Sequence, residues 1–374
     1  MSEKSTIRPQ IGKNILASRQ RDDDGGAQQE PLLLGIDLGT SRSSVVSLDG
    51  KRKTVDSYVG YPKDAVSRKM LKADVIFGKH ALDNRLAVEL YRPLEKGVIK
   101  GTFDGEGGTQ DPEGRNVEAS KDLIRHLVEL MEPGRDEMIY AVIGVPSLAS
   151  SRNKQAMIDA AKDSCDAVML VSEPFTVAYG MEKMSDILVI DIGAGTSDLC
   201  RMHGTVPTEE DEVTIPIAGD AVDAKLMELI KQAYPQASVT LNMCKAFKEQ
   251  YGYVSDTKDK IEVLLPVAGK PTPHDITGIM REACSILIDP IVQGIHKLVS
   301  TFNPEYQERL RQNILLSGGG GLMRGLNKRL EVEMEKIVGG GRVTIVEEPL
   351  YAGAVGALQL AQDMPADYWL QLSK

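Results

Sequence analysis

The sequence predicts an α/β protein made of two similar halves, and three observations support this prediction. A strand, a Gly/Thr/Ser turn and a returning strand occur around Asp37 and again around Asp191, 154 positions apart (191 minus 37). Strand patterns alternate with helical patterns of about ten to fifteen residues, which is typical of α/β architectures. A chain of 374 residues is too long for one ordinary core and suits two domains.

The repeated unit is an apolar run that ends in an aspartate, followed by a turn rich in glycine and hydroxyl groups. Its copies are Leu32-Leu-Leu-Gly-Ile-Asp37-Leu-Gly39-Thr40-Ser41 and Ile187-Leu-Val-Ile-Asp191-Ile-Gly193-Ala-Gly195-Thr196-Ser197-Asp198. Glycine lets backbone amides close around an anion, and hydroxyls add donors. An aspartate at the strand end cannot bind phosphate, but it can hold hydrated Mg²⁺ beside one. Two such hairpins facing each other would grip a triphosphate from both sides. As isolated residues, the aspartates would instead be ordinary turn formers.

The remaining elements of the first half follow from hydrophobic periodicity. We expect strands at 55–62 and 75–78, a helix over 79–90, a strand starting within 92–99 and a surface loop over 101–116. A helix over 117–131, a strand over 139–145, a helix over 150–163 and a strand over 167–171 come next.

The second half repeats this alternation after its own hairpin at 187–202. We expect a strand at 212–218, helices over 220–233 and near 242–251, a strand at 260–267 and one long helix over 276–301. The end of the fold would be a strand at 313–317, a helix over 322–337, a strand at 342–346 and a helix over 352–362.

Composition excludes several functional classes. Hydrophobic residues at 42% and charged residues at 26% are ordinary for a soluble globular protein, and the net charge of −10 argues against a nucleic-acid binder. The four cysteines lie far apart without metal-ligand spacing, which indicates buried cytosolic thiols. No apolar run reaches the roughly 18 residues of a membrane span, so we expect a cytoplasmic protein without a transmembrane segment.

Residues 1–30 lack a core-forming pattern and are expected to be a disordered extension. Residues 1–21 carry Lys4, Arg8, Lys13, Arg19 and Arg21 against Glu3, a net charge of +4 (5 minus 1). Isoleucines at positions 7, 11 and 15 would share one face of a helix. Such a basic arm could contact an anionic membrane or an acidic partner, and a solvated tail is the alternative.

Four consecutive glycines, Gly318 to Gly321, follow an apolar strand. They are not a Walker A loop, because Leu322 and Met323 stand where a Lys-Ser/Thr pair would be needed. Four glycines would allow a flat base or ribose to lie against the backbone, and a tight strand–helix turn is the alternative reading.

Five segments, in order, resemble the signature of the actin/Hsp70/sugar-kinase ATPase superfamily, over roughly residues 31–362. They are Gly35-Ile-Asp37-Leu-Gly39-Thr40-Ser41; Val171-Ser-Glu173-Pro174 with Ala178-Tyr-Gly180; Asp191-Ile-Gly193-Ala-Gly195-Thr196-Ser-Asp198; Leu316-Ser-Gly318-Gly319-Gly320 with Met323-Arg-Gly325-Leu326; and Pro349 with Ala352-Gly-Ala-Val-Gly356-Ala357. Within the superfamily the chain is most similar to bacterial actins, and among them to the magnetosome-chain actins. Stretches such as Val59-Gly-Tyr-Pro-Lys-Asp64 and Ala141-Val-Ile-Gly-Val-Pro146 carry this likeness.

The resemblance implies an actin-like ATPase fold, in which two duplicated ribonuclease-H-like domains, each with a smaller subdomain, flank a nucleotide cleft. The first domain would cover 31–170, with a small subdomain at about 55–95, and would be completed by 347–374. The second domain would cover 171–346, with an inserted subdomain at about 222–275.

The resemblance also implies roles for the candidate site residues. Asp37 and Asp191 would hold Mg²⁺ through water, and Glu173 would orient or polarise the attacking water, unless it only starts a helix. The phosphates of ATP would be held by Gly39, Thr40, Ser41, Gly193, Gly195 and Thr196. Gly318, Gly319 and Gly320 would pack on the nucleoside. Lys248 and Glu249 would lie near the base or ribose, with a solvated helix face as the alternative.

The function implied is a filament-forming ATPase that uses ATP and Mg²⁺, turns over on hydrolysis, and organises or positions magnetosomes. Its partners would be copies of itself and acidic or membrane-bound adaptor proteins. It would be a cytoplasmic cytoskeletal filament, either free or associated with the magnetosome membrane. Two alternatives share the core: a small-molecule kinase and a chaperone-like assembly ATPase. Sugar phosphorylation would support the first, and monomeric, peptide-stimulated hydrolysis the second.

Overall fold

The computed structural model describes residues 30–102, 111, 113–256 and 259–372. Except for Glu30, the predicted disordered extension lies outside these described residues, as does most of the glycine-rich part of the loop expected over 101–116.

Strands alternate with helices along the described chain. The strands are β1 (Leu32–Leu38), β2 (Arg42–Ser47), β3 (Arg52–Asp56), β4 (Val59–Pro62), β5 (Ile76–Phe77), β6 (Val88–Tyr91), β7 (Leu94–Glu95), β8 (Val98–Ile99), β9 (Ile139–Val145), β10 (Ala167–Ser172), β11 (Ser185–Ile192), β12 (Ser197–His203), β13 (Glu212–Ile215), β14 (Glu262–Val267), β15 (Lys270–Asp275), β16 (Ile314–Ser317) and β17 (Val343–Ile345).

The helices are α1 (Ala65–Leu71), α2 (Gly78–Asp83), α3 (Arg115–Glu129), α4 (Ser151–Ala161), α5 (Glu173–Gly180), α6 (Gly219–Ala233), α7 (Leu241–Tyr251), α8 (Thr277–Ser285), α9 (Ile288–Ser300), α10 (Gln307–Gln312), α11 (Leu326–Val338), α12 (Ala352–Asp363) and α13 (Ala366–Leu372). Among the residues described, each helix is too short or too polar to span a bilayer.

Two five-stranded sheets share one topology. Their strand orders are β3-β2-β1-β9-β10 and β13-β12-β11-β16-β17. The central strand β1 pairs antiparallel with β2 and parallel with β9, and β11 pairs in the same way with β12 and β16. The predicted duplication is therefore confirmed, and each aspartate-bearing turn leaves the carboxyl end of a central strand.

Side chains on the two faces of each sheet enter different cores, as expected for buried parallel strands. On β9, Ala141 and Ile143 pack in the core beneath α3 and α4, whereas Tyr140 and Val142 face α12. On the other sheet, α9 and α11 pack over one face, while α5 packs against β11 and β12 over the other. Helices α12 and α5 also pack on each other, so both lie between the two sheets.

The contact between α5 and α12 is a backbone contact. A Cβ atom added to Gly356 would collide with the carbonyl oxygen of Thr176, and one added to Gly180 would lie 2.8 Å from the Cα of Gly356. Glycine at both positions therefore allows the two helices to cross without side chains between them.

Several predicted elements need correction. The helix expected over 79–90 ends at Asp83, because Val88–Tyr91 forms β6 and pairs with β4. The strand expected within 92–99 is a hairpin, since Lys96 and Gly97 have φ values of 49° and 72° and form the two-residue turn between β7 and β8.

The long helix expected over 276–301 is two helices. Pro290 lacks the N–H that would bond to the carbonyl of Ile286, and its ring would clash there, so the chain breaks between α8 and α9. The helix expected over 322–337 begins at Leu326, after a 3₁₀ turn over Gly319–Leu322. Helices α1, α10 and α13 were not predicted from the sequence, and α5 was anticipated only as the alternative reading of Glu173.

Candidate functional site

The turn after β1 is the first predicted phosphate loop, and Ser57 holds it in place. The Ser57 hydroxyl donates to the carbonyl of Gly39 at 2.7 Å, and its backbone N–H donates to the carbonyl of Ser41 at 2.9 Å. The hydroxyl oxygen of Thr40 accepts the backbone N–H of Gly97 at 2.8 Å, which leaves the Thr40 O–H free to donate elsewhere. The loop is therefore fixed by protein contacts before any ligand binds.

The turn after β11 is the second predicted phosphate loop. It is closed by a hydrogen bond from the backbone N–H of Gly193 to the carbonyl of Thr196 at 3.0 Å. Gly195 lies so close to the first loop that an added Cβ atom would be 2.8 Å from the Thr40 hydroxyl oxygen. The two loops therefore face each other, as the duplication predicts.

Four acidic residues meet between these loops. Asp37 ends β1, Glu173 begins α5, and Asp191 and Asp198 lie opposite each other in the β11–β12 hairpin. Asp198 is buried, while the other three keep part of their surface accessible to solvent. Carboxylates gathered in this way repel one another unless a cation or a proton is present.

Burial and mutual repulsion shift the acidity of the whole cluster. Burial raises the pKa of Asp37 to about 6. Burial, with Asp37 and Asp198 nearby, raises the pKa of Asp191 to about 8. Burial is also the main reason that the pKa of Glu173 lies well above its usual range, and the neighbouring charges of Asp37, Asp198 and Asp191 add to it. Ionisation of all these carboxyls at once is therefore unfavourable unless a cation is bound beside them.

The donor set fits a hydrated magnesium ion rather than a protein-only metal site. In the described parts of the chain, no three His, Cys, Asp or Glu side chains are arranged to hold an ion directly. Mg²⁺ commonly uses one or two carboxylates together with water and substrate phosphates. Asp37 and Asp191, on facing loops, supply two such carboxylates.

Glu173 follows β10 directly and is the first residue of α5, with Pro174 next. Its side chain lies over β9, because a Cβ atom added to Gly144 would be 3.3 Å from the Glu173 Cγ. Glu173 therefore starts a helix and also belongs to the acidic cluster, while its action on an attacking water stays a prediction. A carboxyl with a raised pKa at a helix start is suited to accept a proton from water.

The glycine run lies beside Asp191. Gly318 has a φ of 75°, and a Cβ atom there would be 2.6 Å from the Asp191 carboxylate. A Cβ on Gly320 would collide with Ile192, whereas one on Gly319 would meet only Leu350 at 3.6 Å. The glycines therefore allow close backbone approach to the second loop.

Lys248 and Glu249 are both engaged in ion pairs. The Lys248 ammonium forms an ion pair with the Asp223 carboxylate at 2.8 Å and donates to the carbonyl of Gly219 at 2.7 Å. Glu249 accepts from Arg42 on β2 at 2.9 Å, which joins α7 to the strand that leaves the first loop. The solvated-face alternative does not describe Lys248, which is held at the start of α6. The contact of either residue with a nucleoside stays a prediction.

Asp198 belongs to the second loop, but it is not among the site residues that we predict from the sequence. Its carboxylate accepts from the backbone N–H of Ser147 at 3.1 Å and from the Thr214 hydroxyl at 2.6 Å. Ser147 follows β9 of the first sheet, so Asp198 connects the two sheets. Its position two residues after Thr196, opposite Asp191 in the hairpin, was the signal that could have revealed it.

Comparison with known proteins agrees with this geometry. The family model described as MreB/Mbl protein matches residues 32–367. The actin-like protein MamK of Paramagnetospirillum magneticum is 38% identical over 347 residues, covering 93% of this chain and 97% of that protein. MamK of Magnetospirillum gryphiswaldense is 37% identical over 361 residues, covering 96% and 97%.

Solved structures show the same likeness. A MamK double helical filament superposes with a TM-score of 0.84 at 37% identity, covering 90% of this chain and 100% of that one. A non-polymerising MamK mutant bound to AMPPNP gives a TM-score of 0.66 at 37% identity, covering 89% and 99%. MreB5 of Spiroplasma citri bound to ADP is only 20% identical, with a TM-score of 0.70, and supports the fold alone. The chain has the actin-like fold and belongs to the MreB/Mbl family of actin-like proteins.

Proposed function

We propose that this chain is an ATP-driven filament protein that organises or positions magnetosomes. The observation that carries the proposal is the pair of facing phosphate loops with an acidic cluster between them. The relatives support filament formation and nucleotide binding, because one MamK structure is a double helical filament and another is bound to AMPPNP. ATP would bind between the two sheets and favour the shape that assembles, and hydrolysis would weaken the contacts between subunits.

The site residues would divide the work of hydrolysis. Backbone N–H groups and hydroxyls of Gly39, Thr40, Ser41, Gly193, Gly195 and Thr196 would hold the phosphates. Bound Mg²⁺ would neutralise phosphate charge, and Asp37 and Asp191 would hold its water ligands. Glu173 would orient the attacking water and accept its proton. Gly318, Gly319 and Gly320 would pack against the nucleoside, with Lys248 and Glu249 near the base or ribose.

Sedimentation tests assembly. Full-length protein is centrifuged and imaged by negative-stain microscopy with Mg-ATP, with Mg-ADP and without nucleotide, while phosphate release is measured in parallel. We expect filaments that pellet with ATP and diminish as phosphate is released. A protein that hydrolyses ATP but stays monomeric at every concentration would overturn the filament proposal, and phosphorylation of an added sugar would favour the kinase alternative.

Acidic or membrane-bound adaptors are the partners that we propose besides other copies of the chain. The support is the +4 charge of residues 1–21 in a chain of net charge −10. Liposome flotation with anionic vesicles compares the full chain with a variant lacking residues 1–30. Equal partitioning of the two proteins would remove the membrane from this proposal.

A further inference from the structure

A short segment lies across both phosphate loops. We call residues 92–99 the strap; it consists of Arg92, Pro93 and the β7–β8 hairpin. The strap contacts the first loop through the hydrogen bond from Gly97 to the Thr40 hydroxyl. It contacts the second loop through its backbone, because a Cβ atom on Gly195 would lie 2.6 Å from the Cα of Lys96. The strap therefore contacts the two loops at the place where they meet.

Arg92 joins the loops with one side chain. Its Nε donates to the carbonyl of Thr40 at 2.9 Å, and its terminal nitrogen donates to the Asp220 carboxylate at 2.9 Å. Asp220 is itself anchored to the second loop, because its backbone N–H donates to the carbonyl of Ala194 at 2.8 Å. The Arg92 guanidinium thus bonds directly to the first loop, and it is linked to the second loop through Asp220.

The Arg92–Asp220 pair is not needed to hold the fold together. The Arg92 side chain is 25% exposed and that of Asp220 is 39% exposed, and ion pairs that water reaches contribute little to folding. Each sheet has its own large apolar core. The pair instead bridges the two loops, and it does so through a planar guanidinium that presents its donors in a rigid fork.

We propose that Arg92 is a positioning residue that holds the two loops at the spacing required by a nucleoside triphosphate. This inference rests on the proposed nucleotide site. The terminal phosphate of a triphosphate must be gripped from both sides at once, whereas a diphosphate lacks that group. Loss of the Arg92 link therefore weakens binding of ATP more than binding of ADP, and Arg92 acts as a determinant of triphosphate preference.

Calorimetric titration with Mg-ATP and with Mg-ADP tests this, at protein concentrations below assembly. The variants are Arg92→Ala, Arg92→Lys and Asp220→Asn. The control is Arg52→Ala, which breaks the 2.8 Å ion pair between Arg52 and Glu348 at the far end of β3. Apparent melting temperatures without nucleotide show that each variant is folded.

We expect Arg92→Ala to weaken ATP binding at least about 5-fold, the lower end of typical coupling between sites, with a smaller loss for ADP. Asp220→Asn should weaken ATP binding in the same direction. A double variant that combines Arg92→Ala with Asp220→Asn should bind ATP no more weakly than Arg92→Ala alone, because the two changes break the same link. Arg92→Lys keeps the charge but loses the fork, so it should fall between wild type and alanine. Arg52→Ala should change neither affinity.

An unchanged ratio of ATP to ADP affinity in Arg92→Ala and Asp220→Asn would overturn the inference and leave the proposed function intact. Wild-type protein that binds neither nucleotide would overturn both. Should Arg92→Ala not fold, the ratios for Arg92→Lys and Asp220→Asn decide the matter.

Discussion

Replacing Asp37 with asparagine tests whether the acidic cluster is strained when no ligand is bound. Burial raises the pKa of Asp37 from 3.8 to about 6. Between these values the folded chain binds a proton that the unfolded chain releases, so the free energy of unfolding falls as pH rises through this window. The folded and unfolded pKa values of Asp37 differ by about 2.2, and a difference of one pKa unit corresponds to about 1.4 kcal/mol. Ionised Asp37 therefore costs the ligand-free protein about 3 kcal/mol above pH 6.

Asparagine keeps the shape of the side chain and removes its charge. In EDTA without nucleotide, Asp37→Asn should raise the free energy of unfolding by about 3 kcal/mol at pH 8 and by only about 0.6 kcal/mol at pH 4. Urea unfolding, followed by the fluorescence of Trp369, the only tryptophan, measures this. Asp74→Asn, which changes an exposed carboxylate beside Arg68, is the control and should shift the value by under about 1 kcal/mol at either pH. With saturating Mg-ATP the order should reverse, because wild type gains binding energy that the variant lacks. Equal stability of wild type and variant at pH 8, or the same gain at both pH values, would refute the reasoning.

Three further changes follow from the same structure. Glu173→Gln should slow phosphate release by about 10²- to 10⁴-fold while nucleotide binding persists, because it removes the proposed proton acceptor; unchanged release would remove Glu173 from the mechanism. Gly356→Ala should lower the free energy of unfolding by about 1–3 kcal/mol in urea, because the new methyl group meets the Thr176 carbonyl. The matched Gly278→Ala, where a Cβ has nothing within 4 Å, should be neutral or stabilising, and equal losses in the two variants would contradict this argument. Trp369→Ala should cost about 3–5 kcal/mol, measured by circular dichroism in urea. Trp369 is 4% exposed and stacks on Tyr140 with ring centroids 5.1 Å apart. A decrease in the free energy of unfolding below about 1 kcal/mol, as expected for a surface residue, would show that α13 is not part of the core.

Sequence patterns predicted the two central hairpins well. Each hairpin combines a continuous apolar run with glycine, threonine and serine, which are typical of turns. The predictions failed where a local signal was overruled by another signal or by tertiary pairing. Pro290 stood inside the long apolar pattern of 276–301 and still broke it, since its effect falls on the carbonyl four residues earlier. Val88–Tyr91 followed a helical segment, and its identity as β6 comes from pairing with β4.

The site was predictable to the extent that it is encoded within single hairpins. Asp37 and Asp191 could be chosen because each ends an apolar strand before a glycine turn, and Asp198 lies in the same motif. The ion pair of Arg92 with Asp220 joins residues 128 positions apart, and Ser57 reaches Gly39 across a turn between sheets. Neither contact corresponds to a residue spacing that could be recognised in the sequence. The roles of Lys248 and Glu249 stay predictions, because the structure shows their ion pairs and not a nucleoside.

The crossing of α5 and α12 has a mechanical consequence. Because the helices touch through backbone at Gly356 and Thr176, no flexible side chain lies between them to absorb a small change of angle. A rotation there must be passed on to the strands on either side. β11 has eight residues and is about 26 Å long, so a turn of about 10° at one end would displace the other end by about 4–5 Å. A small rotation at the crossing would thus become a displacement of several ångströms at the far end of β11.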